Sequence, residues 1–184
     1  MDCQRGIVSI YARDQPDFPT RAAAVLDAGR RAGMTIVHVQ VAFRPNLPEV
    51  SARNALFAPI KSSAQHQKLF EGEIGAIHPA LGPAAGDVVV TKRRVDAFHG
   101  TDLEVILRAK EIDTLVLFGI ATSGVVLSTV LHASDADYRL AVIKDCCADL
   151  DPDLHACLIE RLFPHRAAVV SADEFLSACS RLAR

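Results

Sequence analysis

The chain has 184 residues, a formal net charge of −2 and hydrophobic side chains at 50% of its positions. That size and balance fit one domain with a single sizeable core and exclude a disordered chain. Few aromatics and no basic stripe exclude nucleic acid as a partner, and no apolar run reaches the roughly 18 residues of a membrane span.

The opening residues, MDCQRGIVS, show neither the basic flank nor the apolar core of a signal peptide. The cysteines are Cys3, Cys146, Cys147, Cys157 and Cys179, an odd number with one adjacent pair. They predict reduced thiols in a cytoplasmic protein, and no Cys/His spacing resembles a zinc site. A helix is predicted over 20–33, entered after Pro19 and closed by Gly33, and a strand over 34–43. Residues 44–86 contain Pro45, Pro48, Pro59, Pro79 and Pro83. They read as a long irregular excursion with one or two short helices, either a pocket lid or packing filler.

Strands over 87–91, 114–118, 139–145 and 167–172 are continuous runs of Val, Ile, Leu and Ala. Such runs mark strands buried on both faces. Helices are predicted over 101–112, 123–137, 152–163 and 172–183. Thr101 is the expected N-cap of the first, with Glu104 completing a capping box. Asp151 before Pro152 is a second N-cap with proline in the first turn. Alternating strands and helices predict one α/β domain over 1–184, a parallel sheet with helices on both faces. Ligands in such folds sit at the carboxyl ends of the strands.

Three strand ends carry groups that could do chemistry: Asp2, followed by Gln4 and Gly6; Lys92, closing DVVVTK; and the turn GIATSGV at 119–125. Singly, each has a plain reading as a solvated charge or a loop. Together and in this order they carry a resemblance. MDCQRGI, VVVTKRRVDAFHGTDLEVIL and TLVLFGIATSGVVLSTVLHASDADYRLAVIKDCCAD resemble the isochorismatase-like hydrolases of the cysteine hydrolase superfamily, over residues 1–9 and 88–151.

The resemblance implies a three-layer αβα sandwich with a mostly parallel sheet, and a homo-oligomer, dimer or tetramer. It implies a site of Asp, Lys and Cys, in which Asp2 and Lys92 match the first two. In the pattern Gly-x-x-Thr-x-x-Cys, Gly119 and Thr122 match and the cysteine position holds Val125. It also implies a non-proline cis peptide between Ile120 and Ala121, which helps aim the N–H groups of Ala121 and Val125 at an oxyanion. Valine has neither lone pair nor proton, so a thioester route is closed if the alignment holds. Ser123 reads as a helix N-cap, Ser128 lies a turn away, and Asp145-Cys146-Cys147 reads as a tight structural turn.

The expected activity is therefore hydrolysis of a small metabolite, at a vinyl ether or C–N bond, by Asp2/Lys92 acid–base chemistry without a cysteine. The alternative is a non-catalytic small-molecule-binding pseudoenzyme of the same fold; retained amidase activity is a third reading. Phe43, Arg44 and Phe98 are pocket candidates; Arg44 could hold a carboxylate, or lie as a surface arginine on a Pro-rich loop. No metal and no cofactor are expected, and His38 reads as a packed core residue.

One departure is larger than the cysteine. In the resembled family an apolar run precedes the Asp and forms a central strand, whereas here only Met1 precedes Asp2. Buried β-branched side chains contribute ~1.5–3 kcal/mol each, against a domain stability of ~5–15 kcal/mol. The expectation is that the native start lies upstream and Met1 is internal to that strand. The other readings are a compromised fold and a gap filled by another segment.

Overall fold

In a computed structural model, residues 1–182 are described. Five parallel strands carry the fold: β1 (Val37–Val41), β2 (Val88–Lys92), β3 (Thr114–Ile120), β4 (Arg139–Ala148) and β5 (Ala168–Val170). β1 pairs with β2, and β3–β4–β5 form a second ladder, all parallel. Among the described residues, the two ladders are joined through the first residues of the chain. The Met1 ammonium donates to the Phe118 carbonyl at 2.9 Å and Ile120 N–H donates to the Met1 carbonyl at 3.1 Å. On the other side Asp2 N–H donates to the Val39 carbonyl at 2.7 Å. Met1 thus makes one unit of parallel ladder with β3, and the spatial order is β2-β1-(1–2)-β3-β4-β5.

Helices cover both faces. On one side α2 (Phe18–Arg31) and α9 (Ala172–Leu182) pack Phe18, Ala22, Val25 and Phe175 against Ile120, Ile143 and Cys146. On the other, α6 (Leu103–Ala109), α7 (Leu127–Asp135) and the turns after α8 (Pro152–Cys157) pack Leu107, Val130 and Phe163 against Leu115, Leu117 and Val142. Alternate residues of β3 and β4 enter opposite cores, which is why their sequences are apolar without interruption. The expected three-layer αβα sandwich is the fold that forms.

Helix ends follow the sequence signals closely. At the end of α2, Gly33 (φ +75°) donates to the Arg30 carbonyl and Met34 N–H to the Gly29 carbonyl, a Schellman motif. The same motif closes α6 at Glu111 (φ +54°) and α7 at Asp137 (φ +64°), without glycine. Asp151 caps α8, its Oδ1 accepting from Asp153 and Leu154 N–H.

Other expectations are corrected. The α6 capping box does not form: the helix starts at Leu103, Thr101 Oγ1 accepts from Leu103 N–H, and Glu104 turns outward to Arg108 at 2.7 Å. Cys146 and Cys147 lie within β4, past a bulge in its register with β3, rather than in a tight turn. Residues 44–86 hold three short α-helices, α3 (Ala58–Ser62), α4 (Ala64–Lys68) and α5 (Gly72–Gly75), and a 3-10 turn over Pro79–Leu81, instead of one or two helices. A helix over Arg5–Tyr11, α1, forms where none was predicted. The predicted last helix ran to 183, and that residue lies outside the described residues.

Below Met1 the space between β1 and β3 is open. A cavity of about 550 Å³ is lined by residues 36–39 of one strand and 114–118 of the other. Val25, Leu26 and Phe175 roof it and Leu103 and Leu107 floor it. Since Met1 and Asp2 bridge both edges by direct hydrogen bonds, the gap at that end is the width of one strand. No other segment among the described residues fills it, so that reading of the N-terminal departure is overturned.

Candidate active site

Asp2 sits where the chain leaves the sheet. Its φ of +54° is one of the left-handed values that Asp tolerates better than most residues. Gln4 then turns back onto β1: its Oε1 accepts from Val41 N–H at 2.8 Å and its Nε2 donates to the Val41 carbonyl at 3.0 Å. This fully buried amide stands in for a neighbouring strand and fixes the loop carrying Asp2.

Lys92 ends β2, in register with Val41. Its Nζ lies 2.8 Å from Asp2 Oδ2 and donates to the Arg94 carbonyl at 2.9 Å. Both side chains are buried, Lys92 to 3% and Asp2 to 8% exposure. Burial pushes the Asp2 carboxyl above its ordinary value, opposed by the Lys92 ammonium and, less strongly, by the charged N-terminus. Asp2 Oδ1 is buried with no hydrogen-bond partner. Buried polar atoms are normally satisfied, so an exception beside a charge pair is a candidate proton-transfer position.

The third strand end is fixed by a close approach. Gly119 has φ +145°, and a Cβ there would overlap the Met1 carbonyl, so only glycine lets β3 pair with residue 1. The Ile120–Ala121 peptide is cis. A π-helical turn, Thr122–Val126, leads into α7 and buries Val125 to 2% exposure. Ser123 is not the N-cap of this turn; its N–H donates to Asp149 Oδ2 at 2.7 Å, so the cap comes from the end of β4. Thr122 Oγ1 lies 2.8 Å from His155 Nδ1, and burial lowers the pKa of that histidine. Neither Asp149 nor His155 was legible as a partner of this turn, because both arrive from the next βα unit.

The other candidate positions separate. Phe43 meets Phe57 and Phe70 edge-on, at 5.9 and 5.2 Å between centroids, in a small apolar cluster with Val50 and Ile60. Arg44 is 59% exposed at the rim, its Nη1 3.8 Å from Glu49. Phe98 is buried, stacked on His132 at 4.5 Å, and lines the cavity between β1 and β3. His38 is indeed packed, with Nε2 2.9 Å from Asp87 Oδ2. Burial raises the thiol pKa of Cys3 and Cys146 and pushes Cys147 up to about 12.

Residues 1–174 match the isochorismatase domain. The chain belongs to the isochorismatase family. Among similar members is an isochorismatase family protein of Escherichia coli O157:H7, 32% identical over 181 residues, covering 97% of this chain and 93% of that one. A maleamate amidohydrolase of Pseudomonas putida is 29% identical over 147 residues, 79% of this chain and 67% of its own. An isochorismatase family structure from Burkholderia thailandensis superposes with a TM-score of 0.84 at 30% identity, covering 97% of this chain and 92% of that one. The fold described above is thus shared with an isochorismatase-family relative along nearly its whole length.

Proposed function

We propose that this isochorismatase-family protein hydrolyses a small metabolite with Asp2 and Lys92 as its acid–base pair and without a cysteine nucleophile. The observation that carries this is the buried 2.8 Å contact between the two groups, with Asp2 Oδ1 left unpartnered. Val125 occupies the place of the cysteine in Gly119-x-x-Thr122-x-x-Cys, and its side chain is buried in the core. Cys146 and Cys147 lie in β4 with thiols that burial holds protonated.

For a vinyl ether, the protonated Asp2 gives its proton to the alkene carbon and an oxocarbenium ion forms. Water adds to the oxygen-bearing carbon of that ion, its released proton returns to Asp2, and the hemiketal separates into ketone and alcohol. For a C–N bond, ionised Asp2 takes a proton from water as the water attacks the carbonyl, and the leaving nitrogen receives that proton. In both routes the Lys92 ammonium stabilises the ionised carboxylate. The relative named as a maleamate amidohydrolase supports including the C–N route.

The test is a panel of amides, carbamates and vinyl ethers. Hydrolysis predicts turnover that Asp2→Asn and Lys92→Ala each abolish while melting stays cooperative. Turnover abolished by thiol alkylation would overturn the cysteine-free chemistry. Ligands that raise Tm without being turned over would support the binding-protein reading instead.

A further inference from the structure

The arginines just past the carboxyl ends of β1 and β2 are unevenly paired. Arg44 and Arg93 share a single carboxylate, that of Glu49. Glu49 Oε1 accepts from Arg44 N–H at 2.8 Å and lies 3.1 Å from Arg93 Nε. Arg94 receives none of that charge. Its Nη2 donates to the Glu49 backbone carbonyl at 2.9 Å and its Nη1 to the Arg93 carbonyl at 2.6 Å. Its guanidinium carbon stands 5.7 Å from the centre of the Phe57 ring. Among the described residues no carboxylate lies within ion-pair distance of Arg94.

A half-buried guanidinium held by two carbonyls and a ring is oriented but not neutralised. A cation partly removed from water without a counter-ion is unfavourable unless an anion arrives. Its remaining N–H groups form the fork that accepts a planar carboxylate bidentately. The position is fixed by the reacting pair, since the Arg94 carbonyl is one of the two acceptors of Lys92 Nζ. Both lie at the carboxyl end of β2, where ligands of such sheets bind.

We propose that Arg94 is the specificity determinant of this site and binds a carboxylate of the substrate, so that the substrate is a small anion. The inference rests on the Asp2/Lys92 reading for its location but not for its test. Arg93 and Arg44, paired to Glu49, add long-range attraction for the same charge.

The test is calorimetric binding of succinate, succinamate and the neutral succinamide to the full chain, at low and moderate salt. The wild type is expected to bind the two anions at least about tenfold more tightly than the diamide. Arg94→Gln is expected to remove that preference with no change in diamide binding and a Tm lowered by only about 2–4 °C, and Arg94→Lys to restore part of it. Equal affinities in the wild type, or an anion preference that survives Arg94→Gln, would overturn the proposal. So would a common loss for all ligands with a larger fall in Tm, which marks Arg94 as a staple between Glu49 and Phe57. Anion preference lost in Arg94→Gln supports the proposal even where no substrate is turned over, and absent turnover counts against the hydrolytic reading alone.

Discussion

The open space between β1 and β3 makes a quantitative demand. Joining about five apolar β-branched residues ahead of Met1 would continue the ladder that Met1 begins with β3, at ~3.3 Å per residue. Each inserted side chain would enter one of two apolar cores and gain ~1.5–3 kcal/mol. Ordering each residue costs ~1–2 kcal/mol for its backbone and up to ~1 kcal/mol for its side chain, so these contributions nearly cancel. What remains is the hydrogen bonding of two strand edges, since below Met1 and Asp2, among the described residues, β1 pairs with β2 alone and β3 with β4 alone. At roughly 0.5 kcal/mol for each of about ten bonds the net gain is about 5 kcal/mol. For a chain of this size that raises Tm by about 10–20 °C. Melting by circular dichroism reads the shift, and hydrogen exchange at residues 37–39 and 114–118 reads its location. An extension of Gly and Ser of equal length is the control. Equal Tm for the two extensions, or edge amides that still exchange freely, would refute the reasoning.

Gly119→Ala is expected to separate β3 from Met1, lowering Tm and abolishing turnover together, because the new Cβ would overlap the Met1 carbonyl. Activity and melting of the same sample check it. Glu111→Gly is expected to stabilise by about 1 kcal/mol, since φ +54° strains any residue with a Cβ; urea unfolding reads this. Asp87 is buried between Arg30 and His38, at 2.6 and 2.9 Å, and the Arg30 guanidinium holds its carboxyl well below the usual range. Its contribution is present above the unfolded carboxylate pKa and lost as pH falls through the folded one. Asp87→Asn is therefore expected to cost about 3 kcal/mol at pH 7 and progressively less in acid, by denaturation at several pH values.

The strands were legible because burial on both faces leaves an uninterrupted apolar run; Thr114–Ile120 and Arg139–Ala148 are of this kind. The pairing of Asp2 with Lys92 was legible only through the order of motifs, since 90 residues separate them. Local signals failed where a distant group competed. Thr101 and Glu104 have the spacing of a capping box, yet Glu104 finds Arg108 and Thr101 Oγ1 donates to the Ala97 carbonyl. Ser123 has the chemistry of a cap but Asp149, brought by the next strand, takes its place. Arg94 carried a weak signal, two arginines directly after a strand-ending lysine. Its lack of a counter-ion exists only in three dimensions.

The strand gap and the acid–base pair are one electrostatic problem. The Met1 ammonium lowers the Asp2 pKa, against the burial that raises it. A residue joined ahead of Met1 would convert that ammonium to an amide, which keeps the hydrogen bond to Phe118 but carries no charge. It would also fill the cavity and deepen the desolvation of Asp2. Both changes move the carboxyl further upward. If protonated Asp2 is the form that delivers a proton, activity is present below its pKa and lost as pH rises through it, so the apolar extension should shift this alkaline limb upward. The Gly and Ser extension removes the same charge without filling the cavity, and should produce only part of the shift. A pH–rate profile identical for the extended and unextended chains would show that Asp2 does not set the limb, and would count against its role as the acid.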